Sequence, residues 1–227
     1  MNVDSIGVRN ESSLHAAIKQ WYRRPGDALE VEIAGYVVDI VRGELLIEVQ
    51  TGNFSTIRKK LRALLEHHRV RLVYPVATRK WLVRVDQVGG NVLRRRKSPK
   101  QGTLDNLFDE LIRIPDLPGH SGFCLEVVLV CTEEIRCDDG RGSWRRAGVS
   151  IIDRRLIEVV DSVCYDSTQD YLSFLPNDLP KPFSNNMLAA CASVPVRKAR
   201  KMTYCLRKMD AIREVGRNGR ELLFAIR

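Results

Sequence analysis

The sequence predicts an α/β protein built on a mixed sheet, followed by a small basic C-terminal unit. Three observations carry this. A helix, a β-hairpin, a second helix and a further strand follow one another between about residues 9 and 90; the hairpin strands are apolar on both faces; and residues 171–227 hold 11 Lys/Arg against 4 Asp/Glu. Most of the net charge of +9 therefore sits in the last quarter of the chain, which points to a polyanionic partner. With 44% hydrophobic residues in 227, the chain is able to bury a substantial core. No run of about 18 apolar residues occurs and MNVDSIGVRNESS lacks a leader pattern, so a cytoplasmic location and no membrane association are expected.

Asn10 to Tyr22 reads as the first helix, with Leu14, Ile18, Trp21 and Tyr22 on one face and Pro25-Gly26 ending it. Glu11 and His15 lie one turn apart on it, most simply in capping or surface roles. Leu29 to Ile33 is a strand that turns at Ala34-Gly35. The next stretch, Tyr36 to Gln50, is a hairpin with its two-residue turn expected at Arg42-Gly43. That turn sets Asp39 opposite Leu46 and one diagonal step from Glu48, on the face shared by Glu48 and Gln50. Strands apolar on both faces are covered on both sides, and carboxylates in them are costly unless paired or metal-bound.

Asn53 or Ser55 is the expected N-cap of a helix to about His67, with Ile57, Leu61, Leu64 and Leu65 as its buried stripe and Arg58, Lys59, Lys60 and Arg62 on the other side. Val70–Tyr74 and Lys80–Val85 read as two short strands, and Leu93 to Gly102 as a basic loop suited to a phosphate backbone. Thr103–Ile112 reads as a helix and Phe123–Cys131 as a deeply buried strand. Asp138 to Gly142 is a turn, and Ser150–Val163 is ordered without a clear type. Six widely spaced cysteines without a C-x-x-C pair suggest free thiols, a link between Cys131 and Cys137 being the alternative.

Asp39 followed by Glu48-Val49-Gln50 resembles the core motif of the PD-(D/E)XK nuclease superfamily, over about residues 9–90. The resemblance implies a restriction-endonuclease-like core with helices on both faces of a mixed sheet, occupying residues 1–175. It also implies that Asp39 and Glu48 hold magnesium, with manganese as the alternative, and that the third motif position orients the attacking water. Gln50 stands where the superfamily usually has Lys, and a neutral amide supplies no charge. Lys59, Lys60 and Lys80 are the local candidates for the missing cation. The alternative is a nuclease fold turned into a non-catalytic binding or regulatory module.

After the proline-rich boundary Tyr171–Pro182, Ser184 caps a helix reaching Cys191, and a second helix runs from Val196 to about Met209. Strand, basic turn and strand follow over Ile212–Val215, Gly216–Arg220 and Glu221–Ala225. This order resembles a winged helix domain, here residues 183–227. It implies duplex DNA as partner, with Arg197, Lys198, Arg200 and Lys201 as recognition-helix contacts and Arg217 and Arg220 on the wing. RNA is the competing polyanion, and the sequence leaves the oligomeric state open, a homodimer that cuts both strands being one arrangement.

Overall fold

The computed structural model describes residues 12–227, which form two compact units interleaved along the chain. The first takes the stretch ending at Pro25, Pro75–Thr103 and Val128–Asp161; the second takes Gly26–Tyr74, Leu104–Val127 and Ser162–Arg227. Three long strands, β4 (Arg69–Val85), β6 (Phe123–Asp138) and β7 (Val149–Tyr165), give a segment to each unit. The sheet is mixed and seven-stranded, in the order β1 (Ala28–Ile33), β2 (Tyr36–Arg42), β3 (Leu45–Val49), β4, β6, β7, with β5 (Val92–Lys97) also pairing β4. The α/β class and mixed sheet are therefore as expected. None of the described helices is long and apolar enough to cross a membrane.

In the second unit, β1 (Ala28–Ile33) and β2 (Tyr36–Arg42) pair antiparallel across Ala34-Gly35, both of which take the positive φ that such a two-residue turn needs. The β2–β3 turn is Gly43-Glu44, one residue later than expected: Arg42 pairs Leu45, Val41 pairs Leu46 and Ile40 pairs Ile47. Gly43 has φ 56° whereas Glu44 is not at positive φ, the pattern of a type II′ turn with Gly in first place; the expected Arg42-Gly43 type I′ turn would need Arg42 at positive φ as well. Strand β3 (Leu45–Val49) runs parallel to β4, a pairing that requires a crossover. Helix α2 (Arg58–Leu65) supplies it, burying Leu61, Leu64 and Leu65. Neither Asn53 nor Ser55 caps this helix. Asn53 instead turns the chain at φ 54°, and Ile57 occupies the cap position.

Residues 103–112 hold only a short helix, α3 (Leu107–Leu111), after a 3-10 turn at Leu104–Asn106. The C-terminal elements follow the sequence reading closely. Helix α4 (Asn185–Cys191) is capped by Ser184 Oγ accepting from Met187 N–H; α5 (Val196–Lys208) and the antiparallel pair β8 (Ile212–Asn218) and β9 (Glu221–Ile226) follow. The stretch expected to be a linker is packed instead. A 3-10 helix occupies Asp170–Phe174, Leu175 and Leu179 are buried, and Phe183 exchanges backbone hydrogen bonds with Phe224, so this stretch lies within the second unit.

In the first unit, α1 (Ser13–Tyr22) buries Leu14, Ile18 and Tyr22, with Ser12 as its N-cap. Asn10 and Glu11 lie outside the described residues. The two short strands expected between Val70 and Val85 are one continuous strand, since Pro75 is accommodated within it. The expected basic loop is largely a strand, β5, pairing antiparallel with β4 so that its arginines stay exposed; Arg95 lies 4.0 Å over the Trp81 ring and 2.7 Å from Glu133. Gly102 donates to Ala77 O at 2.8 Å, and a Cβ there would stand 2.7 Å from that oxygen. The unassigned stretch after Ser150 is strand β7.

Candidate functional site

The pairs Arg42–Leu45, Val41–Leu46 and Ile40–Ile47 make Asp39 and Glu48 the next residues opposed across the hairpin. The one-residue change in the turn thus converts the expected diagonal into a directly facing pair on one face. Asp39 Oδ2 accepts the Val49 N–H at 2.9 Å, fixing its carboxylate against β3. Glu48 is 2% exposed, among Val38, Ile40, Leu46, Ile47 and Val49, all of them buried.

A buried carboxylate needs a partner, and here it is Lys60, whose Nζ lies 2.5 Å from Glu48 Oε1 and donates to Val37 O at 2.6 Å. The helix explains the reach. Lys60 falls three residues after Ile57 and four before Leu64, on the stripe α2 presents inward, so its stem runs along apolar surface to the acid. Burial, and then the Asp39 charge, push the Glu48 carboxyl up to about 7, against the opposing pull of Lys60. Of these three groups it is Glu48 whose proton is thereby poised near neutrality.

Gln50, the third motif position, is held differently. Its backbone N–H donates to Val73 O at 2.9 Å, while its side-chain nitrogen donates to Gly52 O and lies 3.4 Å from Thr56 Oγ1. Its amide nitrogen is thus committed to the loop leading into α2. That loop is braced from α3, where Glu110 Oε2 accepts Phe54 N–H at 3.0 Å, and Phe54 sits edge-on to Tyr74 at 5.0 Å. Burial first, then Glu110 and Asp109, push the Tyr74 hydroxyl up to about 12. Of the expected cations, Lys60 alone joins the acids: Lys59 is exposed on α2 and Lys80 pairs with Glu134 at 3.5 Å in the first unit.

The basic C-terminal residues divide in the same way. Arg197 and Arg200 are exposed on α5, and Arg217 and Arg220 are exposed on β8 and its turn. Lys198 and Lys201 instead face α3, at 2.7 and 2.6 Å from the Asp109 carboxylate, with Lys198 also 3.3 Å from Asp105. Burial acts to raise the Asp109 carboxyl, but hydrogen bonds from the two lysines outweigh it and hold it below its ordinary value. The expected contact set on this helix therefore shrinks from four cations to two outward arginines. They border an open cleft of about 420 Å³ that Ile112, Lys201 and Tyr204 complete. Tyr204, 43% exposed one turn beyond Arg200, escaped the sequence reading because a lone aromatic on a basic helix carries no periodic signal.

No solved structure matches this chain. An uncharacterized protein of Treponema pallidum (strain Nichols) is 33% identical over 186 residues, which cover 82% of this chain and 74% of the relative. The family model described as "Domain of unknown function (DUF8091)" matches residues 12–166, a span that contains Asp39, Glu48, Gln50 and Lys60. The chain belongs to that family.

Proposed function

We propose that the protein binds DNA and hydrolyses its phosphodiester bonds at a metal-dependent, PD-(D/E)XK-like site, with the C-terminal α4, α5 and β8–β9 elements serving as a winged helix. The observation that carries the reading is the meeting of Asp39, Glu48 and Lys60 at the end of a hairpin followed by a parallel crossover. A helix, three antiparallel strands, a crossover helix and a fourth strand beside the third is the element order the superfamily resemblance implies.

The donor set fits a hard divalent cation. Two carboxylates face one another, the Asp39 charge raises the cost of ionising Glu48, and oxygen ligands of this kind suit Mg²⁺ or Mn²⁺. Asp39 and Glu48 are the residues that hold the ion, which when bound supplies Lewis-acid polarisation of a phosphoryl oxygen and a more acidic water. Lys60 replaces the lysine absent at position 50, bringing a positive charge to the acids from the neighbouring helix. Its ammonium stabilises negative charge developing on the phosphate oxygens, and Gln50 fixes the loop beside the acids. Arg197 and Arg200, with Arg217 and Arg220, contact the phosphate backbone and so position the duplex.

A second reading rests on the same residues. The Glu48–Lys60 ion pair already satisfies both charges, and Gln50 directs its amide nitrogen to the loop, an arrangement that also suits a binding module without catalysis. Incubation of labelled linear duplex DNA with Mg²⁺ or Mn²⁺ separates the two. The nuclease reading expects products from the wild type and none from Asp39→Asn. DNA binding by both proteins, with products from neither, selects the binding module. An RNA competitor of equal length that displaces the duplex overturns the assignment of DNA as partner.

A further inference from the structure

Cys124 near the start of β6 and Cys164 near the end of β7 stand on neighbouring strands, and their Sγ atoms lie 2.8 Å apart. Both belong to the second unit, well away in sequence from the acids discussed above. Sulfurs sharing one tetrahedral zinc ion at a Zn–S distance of about 2.3 Å are separated by about 3.7 Å. A disulfide bond is about 2.05 Å long. The observed approach is already inside the separation of two ligands and lies closer to that of a bond.

The surroundings separate the two thiols chemically. Cys124 is buried, whereas Cys164 is exposed. Asp166 Oδ1 lies 3.7 Å from Cys164 Sγ, and Arg71, itself 3.2 Å from Glu126, places a guanidinium charge nearby. The hydrogen bond from Cys124, and then the Arg71 charge, pull the Cys164 thiol below its ordinary value; the same hydrogen bond together with burial raises Cys124. An exposed thiol with lowered proton affinity beside a buried thiol with raised proton affinity is the arrangement of an attacking and a resolving cysteine.

We propose that Cys124 and Cys164 form a redox-active dithiol that a hydroperoxide converts into a disulfide joining β6 to β7. The Cys164 thiolate attacks the terminal peroxide oxygen, the O–O bond breaks, and protonation of the leaving oxygen gives water or an alcohol and Cys164 sulfenic acid. Cys124 sulfur then attacks Cys164 sulfur, forming the S–S bond. The sulfenic oxygen leaves as water, carrying its own hydrogen and the proton lost by Cys124. Overall two thiols are oxidised by two electrons and one hydroperoxide is reduced.

The test uses the full-length folded protein, treated with hydrogen peroxide, alkylated with N-ethylmaleimide and mapped by mass spectrometry. Of the six cysteines, the reduced protein exposes all six on unfolding, and the oxidised protein is expected to show four, with one peptide pair linking Cys124 to Cys164. In Cys124→Ser the sulfenic acid persists at Cys164 and is trapped by dimedone. Oxidation of wild type that leaves Cys124 alkylatable while Cys164 proceeds to sulfinic acid overturns the pairing, as does a link through Cys131 or Cys137. Added Zn²⁺ alone provides a separate arm: protection of both thiols from alkylation at equimolar metal assigns the cluster to metal binding instead and overturns the proposal.

Discussion

Lys60→Met tests the electrostatics of the hairpin most sharply, because methionine keeps an apolar stem and removes the ammonium, with its charge and its pH-independent hydrogen bond to Val37 O. In the folded chain Glu48 titrates at about 7 rather than 4.5, mainly because it is buried and then because Asp39 is close. At about 1.4 kcal/mol per tenfold change in proton affinity, ionising Glu48 is about 3 kcal/mol harder in the folded chain than in the unfolded one, even with Lys60 in place. The folded value lies above the unfolded one. Glu48 therefore contributes stability that is fully present below pH 4.5 and is lost as the pH rises through 7, after which the wild type levels off. Without Lys60 the carboxyl rises further, so the variant goes on losing stability above pH 7, by at most about 1.4 kcal/mol per pH unit, and the gap between the two proteins widens to a ceiling of about 3 kcal/mol at pH 9. Urea unfolding of both proteins at pH 6, 7, 8 and 9 measures this. Parallel curves, with the same difference at pH 6 as at pH 9, refute the coupling between Lys60 and Glu48.

Three further outcomes follow from other parts of the molecule. Asp39→Asn keeps an acceptor for the Val49 N–H and removes the charge that raises Glu48; under the proposed nuclease reading it abolishes cleavage in a gel assay while the dissociation constant for duplex DNA stays within about twofold. Arg197→Gln together with Arg200→Gln weakens duplex binding and lowers the slope of log affinity against log salt by about 2, whereas Lys201→Gln, whose lysine is already paired with Asp109, lowers it by less than about 0.5. Gly102→Ala places a methyl group 2.7 Å from Ala77 O and 2.8 Å from Val76 Cγ1, and costs about 1–3 kcal/mol in chemical denaturation.

The sequence was most legible where local chemistry and tertiary need agree. Ser184 caps α4 as its position suggests, and the Ile212–Ile226 hairpin follows from a Gly-containing turn between apolar runs. Legibility failed where a single residue arbitrates. Gly43 is legible as a turn residue, but with Gly second a type I′ turn also needs Arg42 at positive φ, whereas with Gly first a type II′ turn needs only Gly43 there; that choice decides whether Asp39 faces Leu46 or Glu48. The stripe of α2 already contained the answer for Lys60: position 60 lies between Ile57, Leu61 and Leu64 on the helical wheel, whereas Lys59 lies off it.

Other features depend on contacts between distant segments. Lys198 and Lys201 read as free cations because their partner Asp109 is about 90 residues away, on a helix too short to announce its orientation. Cys124 and Cys164 are 40 residues apart and carry no spacing signal, so the close pair among the cysteines was not the one suggested by adjacency in the sequence. The edge strand β5 was read as a loop because its arginines and lysine lack alternation; it becomes a strand because β4 offers a paired edge.

Calorimetric titration of Mg²⁺ and Mn²⁺ into the wild type and into Asp39→Asn, at pH 7 in two buffers of different ionisation enthalpy, tests the metal site most directly. Because Glu48 titrates at about 7, metal binding to its carboxylate at that pH releases about half a proton, which appears as a buffer-dependent heat. The proposed site predicts one such binding event in the wild type and its loss in the variant. Equal heats from both proteins, or a wild-type heat that does not change with buffer, contradict it.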